Sequence, residues 1–320
     1  MHRFRGLLWV ALCGMALLGP AWVPGRAVAS APESVYFVGN SLTWDSRPHL
    51  LPGLAEDAGL TLETGFFIRA NSSLAQSWEA RDTIGNVEST HPSMVAGLSE
   101  PWDAVVFQPH NGRLFEPNLA NLGNDRDSIL NMIALFEANN GGPAETYYLH
   151  EAWLDRNTIG AGMWESIVDP LNDETPFVRS EQYLNELADQ LRDALPGRTF
   201  EFIPTARVFE AVYDAILNDG TYNMDDPIDV LFRDRLHANN QWGRPIAMWT
   251  TFATLTGVPA SSIPSEATIR EDYLNEQAIK AIIDDVVFGS APDPLVPEPT
   301  TAALVIAAMG AGVLRRRARP

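Results

Sequence analysis

Two short motifs in this chain carry residue types that could act together in nucleophilic catalysis. The first is Gly39-Asn40-Ser41, which directly follows an apolar run, and the second is an Asp234-x-x-His237 sequence far downstream. A serine hydroxyl becomes a nucleophile when a histidine takes its proton, and a carboxylate beside that histidine fixes the ring. The residue types therefore predict a triad in the chain order Ser41, Asp234, His237.

Each motif also has a simpler interpretation, which the sequence leaves open. A Gly-Asn-Ser sequence after a strand is frequently only a turn, and Asp-x-x-His is frequently a solvated loop or a helix cap. The order of the two motifs, and their position at the two ends of one α/β pattern, favour the catalytic interpretation.

The two motifs resemble those of the SGNH (GDSL-like) hydrolases, and the resemblance covers about residues 34–257. It implies a serine esterase in which Ser41 is the nucleophile, Asp234 orients the histidine and His237 is the base. It also implies that the closing helix of the domain begins at residues 240–243.

The resemblance further implies donors for an oxyanion, although the middle blocks depart from the family pattern. Asn71 stands where the family has a glycine whose backbone N–H serves, and Gln108 or Asn111 stands where it has an asparagine side chain. Such donors usually supply the largest electrostatic contribution in acyl transfer. The departures leave open an alternative, a non-catalytic cell-surface or matrix protein on an SGNH scaffold.

The elements that must position these residues follow an alternating pattern of short apolar strands and longer helical periods. This pattern predicts an α/β fold of three layers, α/β/α, with a mostly parallel sheet of about five strands, similar to the SGNH or flavodoxin type. The predicted strands are 34–38, 60–68, 104–107, 146–149 and 200–203, and the predicted helices are 47–58, 124–139, 180–195, 205–218, 239–256 and 265–287.

In open parallel sheets, sites form at the carboxyl ends of the strands. Ser41, Asn71, Gln108 and Glu151 each follow a predicted strand directly, which supports a site at that edge.

The long connection of residues 151–176 contains Trp153, Met163 and Trp164, which either line a pocket or pack on the sheet. His110 and His150 also follow predicted strands. Each is either a spare base or ligand, or a hydrogen-bonded structural histidine.

The N-terminal segment, residues 1–29, predicts a cleaved secretory signal, because a basic start precedes the apolar residues 7–18 and the small residues Ala27 and Ala29. A transmembrane anchor is the alternative, but the apolar run is short for a span. The segment also contains Cys13, the one cysteine in the sequence, so the predicted mature chain has no disulfide.

The C-terminal segment, residues 296–320, resembles a PEP-CTERM sorting signal. Pro297-Glu298-Pro299 is followed by an apolar stretch and by an arginine cluster at residues 315–317. The resemblance implies a Gram-negative source and an exosortase-type processing enzyme as partner. An ordinary C-terminal membrane anchor is the alternative. Residues 289–295 are a Pro-rich linker, so residues 30–288 form the predicted catalytic domain.

Composition narrows the range of partners. The net charge is −19, which argues against binding of nucleic acid through electrostatic attraction. No glycine-rich phosphate motif and no pair of closely spaced histidines occurs in the sequence, so we expect neither a cofactor nor a metal. The sequence thus predicts an exported esterase with transient membrane contact through its termini. O-acyl groups on extracellular polysaccharide are the substrate suggested by the two resemblances.

Overall fold

The computed structural model describes residues 31–109, 119–153, 156, 180–218, 226–265 and 270–289. Both predicted targeting segments lie outside these ranges, as do His110, Asn111, Met163 and Trp164. None of the described helices is long and apolar enough to cross a membrane.

The described residues contain one six-stranded sheet. Its strands are β1 (Ser34–Gly39), β2 (Glu63–Ile68), β3 (Glu88–Ser89), β4 (Ala104–Phe107), β5 (Thr146–His150) and β6 (Phe200–Ile203). They lie in the order β3-β2-β1-β4-β5-β6. All neighbouring pairs are parallel except β2 and β3, which are antiparallel. The predicted α/β fold with a mostly parallel sheet is therefore confirmed.

The helices are α1 (Ser41–Asp45), α2 (Leu51–Asp57), α3 (Leu74–Glu79), α4 (Met94–Gly97), α5 (Leu119–Asn140), α6 (Ser180–Ala194), α7 (Thr205–Asn218), α8 (Pro227–Leu231), α9 (Gly243–Thr256) and α10 (Arg270–Phe288). Two short 3₁₀ helices, Pro48–Leu50 and Ala260–Ser262, precede α2 and α10.

Apolar cores lie on both faces of the sheet, because successive strand residues point to opposite sides. In β1, Val35 and Phe37 belong to one core, and Tyr36 and Val38 belong to the other. Residues of α2, α7, α9 and α10 complete the first core, and residues of α3, α4, α5 and α6 complete the second. The result is a sheet covered by helices on both sides, as parallel sheets require.

The position of the site follows from the strand order. Without the short edge strand β3, the order is that of flavodoxin-like sheets, in which the direction of winding reverses beside the first strand. Here the reversal lies between β1 and β4, and a crevice forms at their carboxyl ends. Ser41 follows β1 and Gln108 follows β4, so both residues lie at this crevice.

The structure corrects several predicted boundaries. Strand β2 begins at Glu63 and not at residue 60, because Gly59 has a φ of 73° and forms a turn. Helix α9 begins at Gly243 and not at residue 239, because the side chain of Asn239 accepts a hydrogen bond from the Gln241 amide in a local turn. The sequence prediction missed β3, α1, α3, α4 and α8, which have at most six residues each.

Candidate active site

A tight turn between β1 and α1 positions Ser41. The Asn40 side chain caps the helix by accepting a hydrogen bond from the Leu42 amide at 3.0 Å, so that Ser41 is the first helical residue. Gly39 allows this close approach. A Cβ atom at Gly39 would lie 2.0 Å from Oγ1 of Thr43 and 3.0 Å from Cβ of Gln108. The glycine of the motif is therefore needed for packing.

The second motif lies in a loop of residues 232–238, here called the histidine loop. Phe232 and Ala238 close the loop through an antiparallel β-bridge. Within it, the Asp234 carboxylate accepts hydrogen bonds from the amides of Leu236 and His237, both at 2.8 Å. These bonds explain the spacing of the motif, because they turn the chain so that the side chains of Asp234 and His237 meet.

The structure brings the three residues of the two motifs into one hydrogen-bonded series. His237 Nε2 lies 3.0 Å from Ser41 Oγ, and His237 Nδ1 lies 3.0 Å from Asp234 Oδ2. Because the carboxylate can only accept, Nδ1 carries the hydrogen and Nε2 is left to accept the serine proton. This is the arrangement that general-base activation of a serine needs.

Asp234 remains ionised in this arrangement. Partial burial raises its pKa, but the amides of His237 and Leu236 and the His237 ring outweigh that effect and lower the pKa to about 2. The carboxylate thus carries its charge across the neutral and mildly acidic pH range, and it can stabilise an imidazolium when one forms.

The loop after β2 lies beside the turn that carries Ser41. The Arg69 amide donates to the Gly39 carbonyl at 2.9 Å, and the Asn40 side chain donates to the Ser72 carbonyl at 3.3 Å. Between them, Asn71 has a φ of 52°. Glycine adopts this conformation freely, and asparagine tolerates it better than most residues do. The backbone shape at this position therefore suits either glycine or asparagine.

Gln108 is buried, and its side chain joins β4 to the same turn. Its Oε1 atom accepts hydrogen bonds from the Asn40 amide at 3.2 Å and from the Thr43 hydroxyl at 3.3 Å. Its Nε2 atom donates to the Pro109 carbonyl at 3.0 Å. An amide nitrogen has two hydrogens, and this bond uses one of them. Asn111, the competing candidate, lies outside the described residues.

Trp153 and Glu151, at the end of β5, have structural contacts. Trp153 is fully buried, stacks on Phe209 with ring centroids 4.7 Å apart, and donates from Nε1 to the Leu236 carbonyl at 2.8 Å. Of the two interpretations left open for Trp153, these contacts support packing in the core, where the ring also supports the histidine loop. The Glu151 carboxylate is buried and pairs with Arg207 at 2.9 Å.

His150 is a buried structural histidine. Its Nε2 atom lies 2.9 Å from the Ser46 hydroxyl and 3.2 Å from the Thr205 hydroxyl. Burial lowers its pKa to about 3, so the ring is neutral at physiological pH. Among the described residues, no group of three or more His, Cys, Asp or Glu side chains could hold a metal ion.

The structure also reveals a carboxylate that the sequence did not suggest. Asp45, the last residue of α1, is fully buried and forms an ion pair with Arg244 on α9. It also accepts a hydrogen bond from the Ala238 amide at 2.9 Å. Burial raises the pKa of Asp45, while Arg244, the Ala238 amide and Arg233 act in the opposite direction. No sequence motif marks Asp45, because its partners Ala238 and Arg244 lie far along the chain.

No family model and no curated protein matches this sequence. Among solved structures, the fold is similar to the crystal structure of a DUF4886 family protein from Bacteroides uniformis ATCC 8492. The TM-score is 0.52 at 17% identity, over 82% of this chain and 97% of that chain. A second match is the lipase Lip_vut3 from a goat rumen metagenome, with a TM-score of 0.40 at 11% identity, over 70% of this chain and 97% of that chain. The likeness to the DUF4886 family protein concerns the fold alone.

Proposed function

We propose that this chain is an exported serine esterase of the SGNH type that hydrolyses carboxylic esters. The observation that carries the proposal is the hydrogen-bonded series from Ser41 Oγ through the His237 ring to the Asp234 carboxylate. A turn or a solvated loop alone would not require these three side chains to meet, since they come from the two ends of the domain.

In the proposed reaction, Ser41 Oγ attacks the ester carbonyl carbon while its proton passes to His237 Nε2. The tetrahedral oxyanion then collapses and the bond to the alcohol oxygen breaks. The alcohol leaves with the proton from His237, and the acyl group stays on Ser41. Water repeats the same steps on the acyl-enzyme and releases the carboxylic acid. Asp234 keeps its negative charge throughout and stabilises the transient imidazolium.

The oxyanion of this reaction needs hydrogen-bond donors. We propose the backbone N–H of Ser41 and the Nε2 group of Gln108, with the backbone N–H of Asn71 as a third donor. Position in the first turn of α1 supports the role of Ser41, because first-turn amides have no acceptor within the helix. The positive φ of Asn71 supports its assignment to the glycine position of the family.

A fluorophosphonate probe tests the proposal, because such probes label activated serines. We expect the mature protein to be labelled and to cleave p-nitrophenyl acetate, and Ser41→Ala to lose both properties with an unchanged melting temperature. Ser99→Ala serves as the matched control, because Ser99 is an exposed serine on the protein surface. Absence of labelling in the folded protein would instead favour a non-catalytic surface or matrix protein.

The substrate and location complete the proposal. Acyl groups on extracellular polysaccharide are the proposed substrate, on the basis of the SGNH and PEP-CTERM resemblances. Export requires removal of residues 1–29 and cleavage near Pro297-Glu298-Pro299 by an exosortase-type enzyme, after transient membrane contact. The intact mass of protein recovered from its native host checks this, since a mass that includes residues 315–320 would refute the sorting proposal.

A further inference from the structure

Helix α1 is a single short helix that contacts the histidine loop at two points. Its first residue, Ser41, lies 3.0 Å from Nε2 of His237. Its last residue, Asp45, accepts a hydrogen bond from the amide of Ala238, the next residue of the loop. Residues four apart lie on the same side of a helix. One rigid turn of helix therefore holds two successive residues of the loop.

The Asp45 carboxylate is held firmly enough to act as an anchor. Its two oxygens are shared between the Ala238 amide, at 2.9 Å from Oδ2, and Nε of Arg244, at 2.7 Å from Oδ1. Arg244 lies in the first turn of α9, so the carboxylate connects α1, the histidine loop and α9. A buried charge with several charge-assisted hydrogen bonds has little freedom to move.

Arg233 connects this anchor to the triad itself. Its guanidinium lies 3.7 Å from Oδ1 of Asp45 and 3.6 Å from Oδ2 of Asp234, so it lies between the two carboxylates. Its backbone amide also donates to the His237 carbonyl at 3.0 Å. Three residues of the histidine loop thus contact α1. His237 contacts Ser41, while Arg233 and Ala238 both contact Asp45.

We infer that Asp45 is a positioning residue that fixes the His237 ring relative to Ser41, an inference that rests on the proposed esterase function. Asp45 touches no reacting atom in this arrangement. It sets the distance between nucleophile and base by joining the helix of the first to the loop of the second. Proton transfer depends steeply on that distance, since it requires hydrogen-bond reach.

Asp45→Asn is the direct test, because asparagine keeps the shape but removes the charge that holds Arg244 and Arg233. We expect kcat for p-nitrophenyl acetate to fall by about tenfold to a hundredfold while KM changes by less than about twofold, as for a displaced catalytic group. We also expect the ¹⁵N and ¹H resonances of the His237 ring to move, which a remote loss of stability would not cause.

The matched control is Asp125→Asn. Asp125 is also a buried aspartate, 1% exposed, but it accepts a hydrogen bond from Tyr183 in the core on the other face of the sheet. We expect this variant to keep the wild-type kcat and the wild-type His237 resonances. An unchanged kcat and unchanged ring resonances in folded Asp45→Asn would overturn the inference, as would an equal loss of kcat in Asp125→Asn.

Two further measurements keep the result decisive. If Asp45→Asn does not fold, Arg244→Gln removes the ion-pair partner of Asp45 and leaves its bond to Ala238. We then expect kcat to fall, by less than in Asp45→Asn, while KM is retained. If the wild-type protein has no esterase activity, the proposed function fails, but the His237 resonances still report whether Asp45 positions the ring.

Discussion

At the residue scale, Gln108 shows how one buried amide can serve both structure and chemistry. Its Oε1 atom accepts from the Asn40 amide and the Thr43 hydroxyl, which lie on either side of Ser41 in the chain. Its remaining Nε2 hydrogen is the proposed oxyanion donor. Replacement of Gln108 should therefore affect stability as well as turnover.

Gln108→Leu tests both roles, because leucine has a similar size and forms no hydrogen bond. We expect the free energy of unfolding to fall by about 1–3 kcal/mol, since two buried donors lose their acceptor. We also expect kcat to fall by about a hundredfold, the usual effect of one lost oxyanion donor. Urea unfolding and ester hydrolysis measure the two effects separately. Gln190→Leu, on helix α6, is the control, and full activity in Gln108→Leu would turn attention to Asn111.

The sequence predicted those site residues that belong to short motifs, and it missed those defined by distant partners. Ser41 follows a strand and a glycine, and the spacing of Asp234 and His237 results from a local turn that the Asp234 side chain itself stabilises. Asp45 carries no such signature, because its importance depends on Ala238 and Arg244, which lie far along the chain. No local pattern can reveal a contact made by the fold.

At the element scale, the long periodic elements were predictable and the short ones were not. Strands β1 and β4 contain the continuous buried apolar runs 35–38 and 104–107, as strands buried on both faces should. Strand β3 has only two residues and α1 only five, too few to show a period. Helix α1 forms because Asn40 caps it and because Gly39 lets it pack closely on Gln108.

Gly39→Ala should disrupt the junction between β1 and α1. The new Cβ would meet Oγ1 of Thr43 at 2.0 Å, so either α1 or the side chain of Thr43 must shift. We expect a loss of about 1–3 kcal/mol of stability from overpacking, together with a lower kcat because Ser41 moves. Thermal unfolding and ester hydrolysis are the measurements.

Gly53→Ala is the matched control for that variant. Gly53 lies in α2, and a Cβ atom there would meet nothing within 4 Å. Alanine favours the helix, so stability should rise by about 0.5–1 kcal/mol with no change in activity. If the two variants had the same stability and activity, the close contact at Gly39 would not explain the need for glycine in the motif.

At the scale of the whole molecule, two buried groups give opposite contributions to the pH dependence of stability. Burial lowers the pKa of His150 from 6.5 to about 3, so in that range only the unfolded chain binds its proton. Burial raises the pKa of Asp125 from 3.8 to about 7, although the hydrogen bond from Tyr183 acts in the opposite direction. Between these two pH values, only the folded chain keeps the proton on Asp125. Falling pH therefore destabilises the fold through His150 and stabilises it through Asp125.

Between about pH 4 and 6.5 the effects of His150 and Asp125 on the slope of stability against pH cancel in the wild type. The unfolded state binds one proton at His150 and the folded state binds one proton at Asp125, so folding changes neither the number of bound protons nor, through these groups, the pH dependence. Each substitution should expose the other group. Relative to wild type, the free energy of unfolding of Asp125→Asn should rise with pH by about 1.4 kcal/mol per unit in this range, and that of His150→Gln should fall by about as much. Urea unfolding at several pH values gives both slopes. Differences from wild type that stay constant with pH would show that neither burial shifts a proton.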